Sequence, residues 1–328
     1  MLEVTIDNRD GNLWEISRLV ASMKISTHRI GKAGVADITM VRMFPFGDKS
    51  FKYGPGDIIR IRRKGVNLFY GVIFVIDESA DAEVKITAYD QIRYLAASDT
   101  YSFTNSTATT IIKKIIQDSG LKAGTLVDTK YAIPKMLEDG QKLIDIISKA
   151  LDLTMTAKKQ IFVFYDDFGS LTLRNINDMV LNLVLGDKSL VYGYKHKRSI
   201  DSDTFNRIKL VRDNKETGVR EAYISQDKAS MAKWGRLQYY RKVEDGANPA
   251  QITQAADNLL KLKNREQRTF TIEALGDPRI RAGNSIYVDL QDRKLNGVRH
   301  LVNSCTHTFE GDEHTMSLQL VVFDFESG

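Results

Sequence analysis

Residues 56–90, GDIIRIRRKGVNLFYGVIFVIDESADAEVKITAYD, carry the clearest alternation in the chain. Ile59 and Ile61 fall on one face, Arg60 and Arg62 on the other. The run 69–76 is almost wholly apolar. Val84, Ile86 and Ala88 then alternate with Lys85 and Thr87. A period of two with one apolar face marks a half-buried antiparallel strand. The stretch therefore predicts three strands, with Lys64-Gly65 and the polar run 77–83 as turns.

A weaker echo lies at residues 283–324. Gly56-Asp57-Ile58-Ile59-Arg60-Ile61 aligns with Gly283-Asn284-Ser285-Ile286-Tyr287-Val288, and Gly71-Val72 with Gly297-Val298. Val84-Lys85-Ile86-Thr87-Ala88 aligns with Met316-Ser317-Leu318-Gln319-Leu320, and each copy soon reaches an aspartate, Asp90 or Asp324. The alternation keeps its phase in both, which predicts an internal repeat. The competing account is that any two β-meanders share a period of two.

The remaining pattern sorts the chain into three parts. Residues 1–103 read as nearly all strand, including 20–29 and 35–43 around the glycine-rich turn 31–34. Residues 104–180 read as a small α/β domain. Thr107 is placed to cap a helix with Ile111, Ile112, Ile115 and Ile116 on one face, and Gly120 to stop it. A second helix is expected from about Asp139, carrying Leu143, Ile144, Ile147 and Leu151. A hairpin follows, turning at 166–170. Residues 181–328 return to strand, with a helix at 249–264 started by Pro249. Many short strands and few helices predict an α+β, mainly β fold, with a small barrel or sandwich on either side of the α/β domain.

Composition bounds this picture. A chain of 328 residues exceeds one ordinary core. Hydrophobic residues at 42% and charged residues at 27% are ordinary for a globular chain. No apolar run approaches the ~20 residues of a membrane span, so no membrane partner is expected. The first residues lack the basic and apolar regions of a signal peptide. A single cysteine, Cys305, excludes an internal disulfide framework. The net charge of +5 is mild and its acids are interspersed, so it does not argue for nucleic acid.

Candidate chemistry is sparse. His300, Cys305, His307 and His314 are zinc-type side chains, but their spacing matches no tetrahedral ligand pattern. They read as polar positions on the outer face of a meander. Asp166 and Asp167 look like paired carboxylates, yet sit in a hairpin turn where Asp is expected. Arg60, Arg62, Arg63 and Lys64 before Phe69 and Tyr70 resemble a basic and aromatic nucleic-acid face, although those aromatics are expected in the core. The run 195–198, Lys-His-Lys-Arg, reads as a solvated face. No nucleophile elbow, phosphate loop, dinucleotide fingerprint or zinc-protease motif occurs. The expectation is no catalytic residue, no metal and no cofactor.

The order of several segments is more specific than any of them. Asn206-Arg-Ile-Lys-Leu-Val211, Ser225-Gln-Asp-Lys-Ala-Ser230, Trp234-Gly235, Ala255-Ala-Asp-Asn-Leu-Leu260 and Thr271 to Gly283 follow one another. So do Gly71-Val-Ile and Ile86-Thr-Ala-Tyr-Asp90 in the first half. In this order the chain resembles the XkdQ/YqbQ-type hub proteins of contractile phage tails, defective prophages and tailocins, related to late-control protein D and to the hub region of type VI secretion spikes. Trp234 stands where an aromatic, often Tyr, is expected. The resemblance implies tail-tube-like barrels and a homotrimer with pseudo-sixfold symmetry. It also implies a tail tube protein, a central spike protein and other baseplate proteins as partners, no specific nucleic acid, and assembly in the bacterial host cytoplasm. On that basis Arg60, Arg62, Lys85, Tyr287 and Asp289 are the candidate lumen or subunit-interface residues. The rival readings are a tail-associated peptidoglycan hydrolase and a nucleic-acid-binding barrel.

Overall fold

A computed structural model describes residues 2–42, 50–78, 83–214, 218–243, 248–293 and 295–321. Met43, residues 79–82 and Asp324, which the expected strand, turn and echo reach, lie outside the described residues. The protein is mainly β. It divides into two compact units, residues 1–195 with 271–328, and residues 196–270.

The first unit begins with seven strands: β1 (Leu2–Asp7), β2 (Leu13–Glu15), β3 (Val20–His28), β4 (Val35–Val41), β5 (Ile58–Arg63), β6 (Val66–Glu78) and β7 (Glu83–Tyr89). They pair in the order β3-β4-β7-β6-β5-β1-β2. The alternation decides which side is buried: Ile59, Ile61, Val84, Ile86 and Ala88 join Val4, Ile6, Met23, Ile25 and Ile38 in one core. Lys64 and Gly65 both have positive φ, 50° and 77°, as a two-residue hairpin turn requires.

An α/β segment follows, made of β8 (Ser98–Thr107), α1 (Ala108–Asp118), β9 (Ala123–Leu126), β10 (Ala132–Lys142), α2 (Leu143–Lys158), β11 (Phe162–Asp166) and β12 (Leu171–Asn175). The Thr107 hydroxyl accepts from the Thr110 amide at 3.1 Å, and Gly120 follows the helix at φ +63°. The second helix starts later than its pattern suggests. Residues 132–142 instead pair with β8, with a bulge between Glu138 and Gln141. Asp139 lies within β10, and its carboxylate accepts from Thr100 Oγ1 at 2.7 Å. The stripes of both helices, including Ile111, Ile115, Ile144 and Ile147, bury against Phe162, Phe164, Leu171 and Leu173.

The chain then enters β13 (Val180–Gly186) and β14 (Val191–Ser199). The second unit carries β15 (Arg207–Asp213), β16 (Arg220–Gln226), α3 (Lys228–Trp234), β17 (Gln238–Lys242) and α4 (Pro249–Lys263). Its sheet has the order β16-β15-β17. Ile208 and Leu210 bury against Ile252 and Ala256 of α4, whose first turn is closed by a capping box between Asn248 and Gln251. The chain returns through β18 (Gln267–Leu275), β19 (Ser285–Leu290), β20 (Leu295–Glu310) and β21 (Glu313–Val321).

The repeat exists as topology. Six strands of the first part lie in the order β1-β5-β6-β7-β4-β3, and six of the last part in the order β13-β19-β20-β21-β18-β14. Each position is filled by strands in the same chain order. Backbone bonds match as well. Gly56 N–H donates to Ile73 O and Ile73 N–H to Asp57 O; Gly283 N–H donates to Val302 O and Val302 N–H to Asn284 O. A bulge falls between Ile73 and Val75 in one copy and between Val302 and Ser304 in the other. One pairing differs: β1 runs antiparallel to β5, whereas β13 runs parallel to β19.

These matches correct the sequence alignment. Ile61 pairs with Phe69, and its counterpart Val288 pairs with Val298. Gly71, opposite Ile59, therefore corresponds to His300, opposite Ile286, and not to Gly297. The two glycines exist for different reasons. A Cβ on Gly71 would lie 2.5 Å from Tyr89 O, while Gly297 has φ +65° and open space around it.

Two closed barrels do not form. β3 pairs along residues 22–28 with residues 304–310 of β20, so both repeats belong to one 13-stranded sheet. The cause is length. β20 overhangs β19, and the overhang supplies hydrogen bonds to the otherwise free edge of β3.

Candidate assembly interface

The expected interface residues lie outward on the two repeats. Glu3 and Thr5 of β1 pair with Arg62 and Arg60 of β5. These four side chains and Leu13 line a shallow depression. In the second repeat the matching face of β13 and β19 carries another, lined by Val184, Gly186, Asp187, Lys188, Ser189, Asp289 and Gln291. Tyr287 and Asp289 thus occupy the positions of Arg60 and Arg62. Tyr287 is half-buried, opposite Arg299, and Asp289 is exposed. Lys85 is also exposed but stands two strands away on β7, opposite Asp77 and Thr39. The structure therefore groups Arg60 with Arg62 and Tyr287 with Asp289, and leaves Lys85 apart.

Arg60 and Arg62 are not bare charges. Arg60 pairs with Asp7 at 2.6 Å and lies 5.6 Å over the Tyr70 ring. Arg62 bonds Asn67 at 2.9 Å and lies 5.1 Å over Phe168. Tyr70 and Phe168 meet edge to face at 5.7 Å. This ladder ties β5 and β6 to the β11–β12 turn. A Cβ on Gly169 would lie 2.9 Å from the Tyr70 ring, so that turn needs a glycine, which also holds φ +88°. Phe69 is buried as expected, but Tyr70 faces outward, against the expectation that both aromatics enter the core. The Asp7 carboxyl is held below its usual range, first by the Arg9 amide and then by Arg60.

Two buried polar clusters lie beneath. Asp90 accepts from the Gly34 amide at 2.7 Å and the Ile92 amide at 3.0 Å. Asp166 accepts from the Gly169 amide at 2.5 Å and from the Gln91 side chain at 3.1 Å. Arg281 lies 3.8 Å over Tyr165 and donates to the Asp166 carbonyl at 3.1 Å, while its buried Nε has no partner among the described residues. Burial, then the charge of Asp166, pushes Asp90 up to about 8. The Asp166 carboxylate closes the hairpin turn and anchors Gln91.

The histidine cluster is interior, not on an outer face. Cys305, His307 and Phe309 all point inward, because the bulge after Val302 shifts the phase of β20. His307 Nε2 donates to Ile280 O at 2.8 Å, so its Nδ1 accepts from His314 Nε2 at 2.9 Å. Cys305 Sγ lies 3.3 Å from His307 Nε2. This is a hydrogen-bonded chain and not a set of donors around one point. Burial pushes the Cys305 thiol up to about 12, and burial with the nearby His307 takes His314 down to about 3. Such a thiol is a poor nucleophile. His300, also buried, bonds the Val298 carbonyl at 2.8 Å and stays apart.

A family model described as YQBQ-like matches residues 23–321. The chain belongs to the YQBQ-like family. The phage-like element PBSX protein XkdQ of Bacillus subtilis (strain 168) is 29% identical over 304 residues, covering 92% of this chain and 91% of XkdQ. The fold is shared with solved structures. A tail protein from Neisseria meningitidis MC58 has a TM-score of 0.71 at 13% identity, covering 97% of this chain and 96% of that one. The E. coli c3393 protein is described as a component of the type VI secretion system with structural similarity to the T4 bacteriophage tail proteins gp27 and gp5. It has a TM-score of 0.60 at 12% identity, covering 100% of this chain and 78% of that one. The chain thus shares its fold with phage tail proteins and with a type VI secretion component.

Sequence reasoning missed Phe168 and Tyr70 as partners of the arginines. The signal was present in Phe168-Gly169, a large aromatic in a turn that needs no apolar residue.

Proposed function

We propose that this YQBQ-like protein is a non-enzymatic central hub of a contractile tail-like particle, joining a sixfold tail tube to a threefold spike. Three copies form a ring of six similar repeats, with one repeat within residues 1–103, the other within 181–328, and the α/β segment 104–180 bracing them. The observation that carries this reading is the identical order of six strands in each repeat. Two equivalent repeats per chain let a threefold assembly present six similar faces, and a closed ring limits its own size. Outward side chains differ between the repeats, Arg60 and Arg62 against Tyr287 and Asp289, so each can meet a different neighbour. The partners are tube, spike and other baseplate proteins, and assembly takes place in the bacterial host cytoplasm.

Light scattering on the full chain and microscopy of tail particles test this. Asp289→Lys should weaken ring assembly while moving the melting temperature by no more than about 1 °C, since the side chain is exposed. Particles assembled without this chain, or a single copy per particle, would overturn the reading.

A further inference from the structure

Two strand edges in this chain have no strand partner among the described residues, and the repeat says what they fit. Resting on the ring reading above, we propose that β14 of one chain pairs antiparallel with residues 75–78 of β6 in a second copy.

The junction inside the chain is the template. There, β3 of the first repeat pairs with the overhanging half of β20 in the second. The counterpart of β3 is β14, and the counterpart of β20 is β6. Both β3 and β14 are nine residues long. Ser22 pairs with Thr39 of β4, and Gly193, its counterpart, lies against Glu273 of β18, where a Cβ on the glycine would stand 3.8 Å from Glu273 Cβ. On its other edge β14 ends the sheet.

β6 has the same overhang. Its residues 66–72 pair with β5, and the Gly56 and Asp57 bonds extend that edge to Ile73. Beyond it, Val75–Glu78 pair with β7 alone among the described residues. Val75 is 50% exposed, although it is a β-branched residue in a strand. In β20 the matching residues, 304–307, pair with both β21 and β3.

Transferring the internal register gives a definite alignment. Ser304 opposite His28 becomes Val75 opposite Ser199. Cys305 opposite Thr27 becomes Ile76 opposite Arg198. Thr306 opposite Ser26 becomes Asp77 opposite Lys197, and His307 opposite Ile25 becomes Glu78 opposite His196. The charges are complementary in this alignment. β14 carries Lys195, His196, Lys197 and Arg198, all exposed, and the overhang of β6 carries Asp77 and Glu78. Within the chain Arg198 is held by Glu266, and Glu78 by Tyr53 and Arg42. β14 itself, Val-Tyr-Gly-Tyr-Lys-His-Lys-Arg-Ser, carries no acidic residue. The basic run that reads as a solvated face thus becomes half of a strand-addition interface. It also answers the hazard of an uncovered sheet edge. The contact is head-to-tail, so repetition of it generates a ring when the rotation closes.

The test is an engineered disulfide in the full chain, Asp77→Cys with Lys197→Cys; buried Cys305 is left in place. After mild oxidation, non-reducing electrophoresis should show species of two and three chains. A register-shifted variant, Asp77→Cys with Lys195→Cys, should give at least tenfold less. The charge swap Asp77→Lys with Lys197→Asp should assemble as the native chain does, while either single reversal should not. A disulfide traps even brief pairing. A trimer by light scattering that yields no cross-link therefore overturns the strand pairing and leaves the ring. A chain that is monomeric, and also not cross-linked, overturns both. Equal cross-linking in the two registers overturns the alignment.

Discussion

Gly71→Ala and Gly297→Ala separate the two roles that one letter hides. At Gly71 the new methyl would sit 2.5 Å from Tyr89 O and 2.6 Å from Phe69 Cε1. Tyr89 O belongs to β7, and Phe69 is 4% exposed and fixed in the core. Neither can yield without moving β6 from its partners. Overpacking of this kind costs about 1–3 kcal/mol. For a chain of this size each kcal/mol lowers the melting temperature by roughly 2–4 °C. Gly71→Ala should therefore lower it by about 2–12 °C. At Gly297 no atom lies within 4 Å of the methyl, and only the φ of +65° opposes it. That cost is about 1 kcal/mol, or a few degrees. Thermal unfolding followed by far-ultraviolet circular dichroism measures both. If Gly71→Ala melts within 1 °C of the native chain, or if Gly297→Ala costs more, the matching of Gly71 with His300 is wrong.

The buried titratable groups make two further predictions. Asp90 has its pKa raised to about 8, above the unfolded value near 4, so the native state holds the extra proton. Stability should fall as pH rises across that window, by at most about 1.4 kcal/mol per pH unit for one proton. Asp90→Asn starts less stable, because its amide can accept from only one of the Gly34 and Ile92 amides, but between pH 6.5 and 8 its stability should be flat; a slope equal to the native one removes Asp90 as the cause. His307 and His314 are both depressed by burial, below an unfolded value near 6.5. Their contribution is present above that pH and is lost as pH falls toward the folded values. His314→Phe, which keeps the stacking on Phe309 at 4.2 Å, should flatten urea-unfolding free energies between pH 6.5 and 5, and an unchanged slope would refute this.

Much of the architecture is legible because strands carry their own burial code. Ile59, Ile61, Val84 and Ile86 alternate, and the sheet buries that phase. Thr107, Gly120, Pro249 and the Lys64-Gly65 turn act through local backbone chemistry, which needs no distant partner. The order of short segments pointed to the family, and the family model covers residues 23–321.

Only tertiary structure decided the rest. The bulges after Ile73 and Val302 shift the phase of β6 and β20, and no residue type announces a bulge. That shift sends Cys305 and His307 inward, where neutral imidazoles can satisfy one another. The second helix began late because β8 offered residues 132–142 a partner 25 or more positions away along most of its length. The fusion of two expected barrels into one sheet depends on which edge β20 overhangs, a property of strand lengths in space. Alternation is written in each strand by itself, whereas register, edges and fusion are relations between strands far apart in sequence. The sequence by itself thus determined the strands and the existence of a repeat. The fold decided where the repeats join, and which edges remain open for the next chain.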